Sequence, residues 1–330
     1  MPETADMIRS IQMTQPGGAE VLTPTAVAVP PPGPGELRLR HAAAGVNFVD
    51  VYHRSGLYPL PAYPATLGVE GAGVVEAVGP GVESIAVGDR VAWAGLPAGG
   101  YAEARLLAAD RAVRLPDGVE PVAAASLLLR GITAHMLVNR VFAVGPGSTL
   151  LIHAAAGGLG LVLTQWAKSL GATVIGTVGN ADKAAVARAH GLDHAILYRE
   201  TDFVAATRDL TGGRGVDAAV DGIGGDTLRR TFDAVRPFGT VASVGQAGGP
   251  VSAIDIAEIG PRRSLCLARP SVFAYMADRD TYRAAAAAVL DRVAAGLSAG
   301  PVTTLPLEAA ADAHRALEGR GTSGALVLVP

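Results

Sequence analysis

The chain has a single cysteine, Cys266, in 330 residues. A lone thiol excludes an intrachain disulfide framework and any zinc site built from several cysteines. By itself Cys266 reads as a small buried hydrophobe. Charged residues make up only 17% of the chain, with a formal net charge of −3. No cluster of lysine and arginine stands out, which argues against nucleic acid or an anionic membrane as the main partner. No apolar run reaches the ~18–20 residues of a membrane span, and the N-terminus shows no signal-peptide core. These absences leave a cytoplasmic globular enzyme as the simplest class.

Hydrophobic residues are abundant at 49%, and the 42 glycines and 22 prolines are spread among periodic segments, so they read as turns. A length of 330 residues exceeds the ~250–300 at which single cores stop growing, so two domains are expected. Residues 1–8 read as a loose lead-in. From residue 8 to about 128 short β-type runs alternate with Pro/Gly turns, for example at 36–41, 73–78, 89–94 and 102–107. This spacing suggests a compact, barrel-like β domain. The proline-rich run at 30–35 reads as a surface loop between strands. From about residue 131 to 262 the rhythm changes. Strands are expected near 149–153, 173–178, 194–197, 216–220, 239–244 and 264–269, with helices at 158–170, 181–190, 201–210 and 225–235. Such alternation implies an α/β unit with a doubly wound parallel sheet. A helix at 278–297 and a strand at 324–329 form a tail too small to fold alone. The expected division is therefore 1–128 with 271–330 returning to it, and 129–270.

The stretch L-L-I-H-A-A-A-G-G-L-G at 150–160 carries the most chemistry. A β-type run feeds a glycine-rich turn that opens into an apolar, helix-periodic segment. The turn residues Ala155, Gly157, Gly158, Leu159 and Gly160 keep a dinucleotide fingerprint in which alanine takes the place of the first glycine. In that arrangement a pyrophosphate meets the free N–H groups and the positive dipole end of a helix. An NAD-binding fold places a carboxylate about 20 residues past the turn to hold the ribose 2′-hydroxyl. Here that region reads Thr177-Val178-Gly179-Asn180, with Lys183 close behind. A missing carboxylate beside a cation suits a 2′-phosphate, so NADP is favoured over NAD.

The chain resembles the zinc-independent quinone oxidoreductases, the zeta-crystallin-like branch of the medium-chain dehydrogenase/reductase superfamily. The resemblance runs over essentially the whole chain. It is carried by G-V-N-F-V-D-V-Y at 45–52, R-S-G-L-Y at 54–58, L-G-V-E-G-A-G at 67–73 and V-G-D-R-V at 87–91, and by R-G-I-T-A-H at 130–135. H-A-A-A-G-G-L-G at 153–160, Q-W-A-K at 165–168, G-T-V-G at 176–179, L-Y-R-E at 197–200 and A-R-P-S at 268–271 complete the set. The resemblance implies a GroES-like β-barrel catalytic domain, built from both chain ends, and a Rossmann domain, with the active cleft between them. It implies NADPH/NADP+ as cofactor and quinones or other conjugated carbonyl compounds as acceptors. It also implies a homodimer formed through the Rossmann edge strand near 264–269.

Residue roles follow from the same resemblance. Lys183, Tyr198 and Arg320 are expected around the adenosine 2′-phosphate. Gly245 and Gln246 should face the nicotinamide ribose. The family usually has a phenylalanine and an asparagine around that glycine, where this chain has Val244 and Gln246. Gly222, in D-G-I-G at 221–224, should border the cofactor. Asn47, Tyr52 and Thr133 are the candidates near the nicotinamide and acceptor: Asn47 and Thr133 as hydrogen-bonding groups to the cofactor, Tyr52 as a positioning group or proton donor to the acceptor. Asp50 and Glu70 read as structural hydrogen-bonding groups. Zinc-dependent relatives have a cysteine where this chain has Asn47 and a histidine where it has Val69, so no metal is expected. An enone or enoyl-thioester reductase is the rival within the enzyme class. An AU-rich RNA-binding, zeta-crystallin-like role is the rival outside it, disfavoured by the acidic balance.

Overall fold

The computed structural model describes residues 6–330. They form two compact units: Thr133–Tyr275, and the segment up to Ile132 together with Met276–Pro330.

The unit Thr133–Tyr275 alternates strand and helix: β1 (Thr149–Ile152), α1 (Gly158–Ser169), β2 (Thr173–Val178), α2 (Ala181–Ala189), β3 (His194–Leu197), α3 (Phe203–Leu210), β4 (Val216–Asp221), α4 (Gly225–Thr231), β5 (Val235–Ser243) and β6 (Cys266–Ala268). The six strands are parallel in the order β3-β2-β1-β4-β5-β6. This is the doubly wound sheet that the alternation implied, and its strand order reverses between β1 and β4. The strands are continuous apolar runs because helices cover both faces. Leu151, Ile175, Ala219 and Val241 meet Phe203, Leu228 and Phe232 in one core. Two elements differ from expectation. β5 begins at Val235, and its pairing with β4 shifts register between Val216 and Ala218. β6 is only three residues long, since Ser264 before it takes a left-handed φ of 48°. Cys266 is exposed on this edge strand, not buried as expected; among the described residues β6 pairs with β5 alone.

The other unit is mostly antiparallel sheet. Strands Val302–Pro306, Ala325–Val329, Glu36–Val46, Glu70–Val78, Arg90–Ala94 and Val113–Arg114 lie in that order, and Ala104–Ala108 also pairs with Glu36–Val46. A smaller sheet joins Thr23–Val29, Asp6–Met13 and Ala65–Thr66. The expected lead-in is therefore a strand from Asp6 onward, its apolar residues Ile8, Ile11 and Met13 turned into the core; residues 1–5 lie outside the described residues. The C-terminal strand pairs antiparallel with the end of Glu36–Val46, Leu326 opposite Val46 and Leu328 opposite Ala44. Met13, Val46, Leu67, Tyr101, Leu307 and Leu328 share a core there.

Two helices interrupt the region read as all β. Phe48–Arg54 is rich in residues that favour strands, which hides it. Pro121–Met136 is apolar almost all round, so it lacks the one-sided stripe of a surface helix. With its π-helical extension it runs Pro121–Val141, 21 residues, long and apolar enough to cross a membrane, contrary to the expectation of no such run. Yet 72% of its most apolar window is buried within the protein, which accounts for the apolarity as core packing.

Candidate active site

β1 ends at Ile152 and the chain turns through His153–Gly157 into α1. The Ala155 N–H donates to the Thr177 carbonyl at 3.0 Å, tying the turn to the end of β2. Gly157 is the extended N-cap of α1. The first-turn N–H groups, those of Gly158, Leu159 and Gly160, have no carbonyl partner inside the helix, and the dipole adds positive potential there. At Gly160 a Cβ would fall 2.5 Å from the Ala154 carbonyl oxygen and 2.7 Å from Ala155 Cα. Only glycine permits this approach, and it brings the turn and helix close enough to cradle a phosphate.

The end of β2 supplies the next wall. Thr177 is 3% exposed, and its hydroxyl lies 3.0 Å from His153 Nδ1. His153 Nε2 lies 2.8 Å from the Thr231 hydroxyl. Burial, assisted by Arg230, pushes this histidine down to about 4, so the ring is neutral. Past Thr177, Lys183 is half-buried in the first turn of α2. Burial lowers its pKa, Tyr198 raises it and Arg199 lowers it further. Tyr198 and Arg199 also both reach over Gly179, within 3.7 and 3.9 Å of where its Cβ would stand. Lys183, Tyr198 and Arg199 thus gather at one strand end, where two cations that raise each other's potential favour an anion. Sequence reasoning missed Arg199, although it follows Tyr198 directly. Arg320 belongs to the other unit, in a left-handed turn (φ 55°) after the helix Ala310–Glu318.

At the ends of β4 and β5 two loops are laced together. The Val244 N–H donates to the Asp221 carbonyl at 2.7 Å and the Ala247 N–H to the Gly222 carbonyl at 3.0 Å. Asp221 Oδ1 accepts the Ile223 and Gly224 N–H groups at 2.6 and 2.8 Å. Arg269 donates to the Ser243 hydroxyl at 2.8 Å and to the Gly245 carbonyl at 3.2 Å. Gly222, Val244, Gly245 and Gln246 therefore stand at the same C-terminal strand edge as the α1 turn, on the β4 side of the topological switch point. Sequence reasoning gave Arg269 no role; only the fold brings it under this loop.

Asn47 follows directly on the strand Glu36–Val46 and caps the helix Phe48–Arg54, which also carries Tyr52. Its amide Nδ2 donates to Glu70 Oε1 at 2.6 Å, and Glu70 Oε2 accepts the Leu129 N–H at 2.8 Å. Burial raises the Glu70 pKa, and Arg130 opposes the rise. Gly45 makes room for this pair, because a Cβ there would meet Glu70 Oε1 at 2.3 Å and the Ala125 carbonyl at 2.2 Å. Tyr52 is 8% exposed and stands edge-on to Tyr58, ring centroids 5.2 Å apart, with Phe48 at 6.3 Å. Asn47 and Tyr52 are thus brought together on one short helix. Thr133 lies in the other unit, half-buried on the helix Pro121–Met136.

Among the described residues no group of three histidine, cysteine, aspartate or glutamate side chains is placed to hold a metal. Where a zinc ligand would stand, Asn47 and Glu70 are spent on each other, and Val69 has no donor atom. This donor set does not fit a catalytic zinc.

Two family models match the chain: "Alcohol dehydrogenase GroES-like domain" over residues 33–117 and "Zinc-binding dehydrogenase" over residues 158–291. A 2-haloacrylate reductase from Burkholderia is 42% identical over 98% of this chain and 99% of its own length. A quinone oxidoreductase from Pseudomonas aeruginosa is 40% identical over 98% of this chain and 100% of its own. The chain belongs to the quinone oxidoreductase branch of the medium-chain dehydrogenase/reductase superfamily. The crystal structure of Escherichia coli quinone oxidoreductase complexed with NADPH superimposes with a TM-score of 0.93 at 37% identity, covering 98% of this chain and 100% of that one. Both halves of the family's fold are therefore present, the GroES-like β domain and the parallel nucleotide-binding sheet.

Proposed function

We propose that this protein is an NADPH-dependent quinone reductase that works without zinc, is cytoplasmic and acts as a homodimer. The observation that carries the reading is the cation pair Lys183 and Arg199 beside Tyr198 at the end of β2, with no carboxylate at 177–180. A 2′-phosphate would accept charge-assisted hydrogen bonds from those cations, stronger than the neutral bonds a 2′-hydroxyl could accept. The E. coli relative's complex with NADPH supports the same cofactor.

When bound, NADPH supplies the hydride that the acceptor takes up; the protein's part is to bind, orient and exclude water. The N–H groups of Gly158, Leu159 and Gly160 hold the pyrophosphate, with Ala155 and Gly157 shaping the turn. Lys183, Tyr198 and Arg199 hold the 2′-phosphate. Thr177 and the loops bearing Gly222, Val244, Gly245 and Gln246 line the ribose and nicotinamide. Thr133 offers a hydrogen bond to the nicotinamide. On the acceptor side Asn47 offers a hydrogen bond, and Tyr52 orients the acceptor through its hydroxyl and ring face. A quinone carbonyl oxygen gains its proton from Tyr52 or from water. Among the described residues β6 is the last strand of its sheet, and its outer edge offers backbone groups for a second copy, which supports a dimer through that strand.

Steady-state oxidation of NADPH and NADH with 1,4-benzoquinone tests the reading. The expected result is a kcat/KM at least tenfold higher with NADPH, unchanged by a chelator. Equal use of both cofactors, or loss of turnover on chelation with recovery on adding zinc, would overturn it. The 42% identity to a 2-haloacrylate reductase favours a second reading, reduction of a conjugated carbon–carbon double bond. Comparing kcat/KM over quinones, 2-alkenals and 2-haloacrylates separates the two.

A further inference from the structure

A buried polar line runs through the β-rich unit, beside the residues assigned to the acceptor. Arg54 ends the short helix that Asn47 begins, and its side chain is 4% exposed. It donates through Nη1 and Nη2 to the Glu318 carboxylate at 2.9 and 2.8 Å and through Nε to the Gly17 carbonyl at 3.1 Å. Nη1 also lies 3.4 Å from Nδ1 of the fully buried His314. His314 Nε2 lies 3.0 Å from the Tyr101 hydroxyl, which lies 3.2 Å from Asp50 Oδ2. The same Oδ2 accepts the Asn47 N–H at 2.9 Å.

Chemistry sets the direction of every bond in the line. A guanidinium has donors only, so His314 Nδ1 accepts and Nε2 carries the ring proton. Nε2–H then donates to the Tyr101 oxygen, and the single tyrosine proton goes to Asp50. Donation runs Arg54 to His314 to Tyr101 to Asp50, and ends on the carboxylate that holds Asn47. Burial, with Arg54 beside it, lowers the His314 pKa to about 3, so this tautomer persists through the neutral range. Asp50 is fully buried and its Oδ1 has no hydrogen-bond partner among the described residues. Oδ2 takes the Asn47 and Tyr101 donors, and the Gly68 backbone N–H further favours the charged form.

The helix Phe48–Arg54 is seven residues long, too short to hold its own orientation by internal hydrogen bonds. Asp50 in its first turn and Arg54 in its last are both tied to the C-terminal helix Ala310–Glu318 through this line. We propose that Tyr101, His314 and Arg54 are positioning residues that set the orientation of Asn47 and Tyr52 toward the acceptor, acting through Asp50 and the Glu318 clamp. The proposal rests on the reading of Asn47 and Tyr52 as acceptor-side residues.

The test uses the full chain with NADPH and 1,4-benzoquinone. Tyr101→Phe keeps the ring and removes only the hydroxyl. His314→Leu breaks the line, and His314→Gln restores a donor toward Tyr101. The expected result is a roughly tenfold loss of kcat/KM for the quinone in Tyr101→Phe and His314→Leu, with the NADPH dissociation constant within twofold of the parent. His314→Gln should recover most of the loss. A purely structural role would instead lower Tm and leave the quinone kcat/KM of the folded variants within twofold, and that result overturns the proposal. Asn47→Ala separates the two levels. If it impairs quinone turnover while Tyr101→Phe does not, the positioning line alone fails. If Asn47→Ala has no effect, the acceptor-side reading fails and the proposal falls with it.

Discussion

Asn47 and Glu70 are joined by one hydrogen bond, amide Nδ2 to carboxylate Oε1 at 2.6 Å, in a pocket that Gly45 keeps open. The carboxylate's other oxygen caps the Leu129 N–H at 2.8 Å. Replacing Glu70 with glutamine leaves one acceptor oxygen for two buried donors. Glu70→Gln should therefore lose about 1–3 kcal/mol of stability in urea unfolding, the cost of one unpaired buried group. An unchanged urea midpoint would show that the site relaxes around the amide.

Cofactor choice should depend on charge. Lys183→Ala should raise KM for NADPH at least tenfold and leave KM for NADH within about twofold, since each charge-assisted bond to phosphate contributes about 1.5–3 kcal/mol. Adding Arg199→Ala should widen the gap. Equal effects on both cofactors in steady-state kinetics would remove these residues from the 2′-phosphate.

Gly160→Ala is expected to be costly in both stability and cofactor binding. Its Cβ would press on the Ala154 carbonyl and on Ala155 Cα, both backbone atoms that cannot rotate away. Overpacking of this kind costs about 1–3 kcal/mol. Calorimetry of NADPH binding and thermal unfolding should both register it; retention of full NADPH affinity would contradict the close-approach argument.

Acid should weaken the fold through its buried imidazoles. His153 is held neutral, its pKa lowered to about 4, whereas an unfolded histidine titrates near ~6.5. Between these values the unfolded chain binds more protons, so the stability contributed by neutral His153 is complete above pH ~6.5 and is lost as pH falls toward 4, at up to ~1.4 kcal/mol per pH unit. His41 and His314, lowered to about 4 and about 3, act in the same direction. Asp50, raised to about 7 by burial, acts the opposite way: its contribution is present below its unfolded value and is lost as pH rises through 7. Comparing parent with His153→Gln isolates one group. The variant should be less stable at pH 7.5, and the gap should narrow by about 2 kcal/mol at pH 5. A gap independent of pH would show that His153 is not buried neutral.

The parallel sheet was legible because each of its strands is a short apolar run between helices with their own periodicity, and both signals are local. The helix Phe48–Arg54 was not, since Phe48, Val49, Val51 and Tyr52 read as strand; what turns it into helix is the Asp50 carboxylate accepting the Asn47 N–H at its first turn. Arg199 was adjacent to a residue already singled out, yet its direction toward Lys183 depends on how β3 ends beside β2. Cys266 was read as buried although 264–269 was already expected to be an edge strand; its exposure follows from that edge, where β6 has one neighbouring strand among the described residues.

By itself the amino-acid order determined the two fold types and the glycine-rich turn that opens the first helix of the parallel sheet, because glycines and caps act on their immediate neighbours. Tertiary structure alone decided that Glu70 would hold Asn47, and that Arg54, Tyr101 and His314, up to 260 residues apart, would converge on Asp50. A buried donor takes whichever acceptor the folded chain presents to it, and that choice is made in space, after the strands and helices have packed.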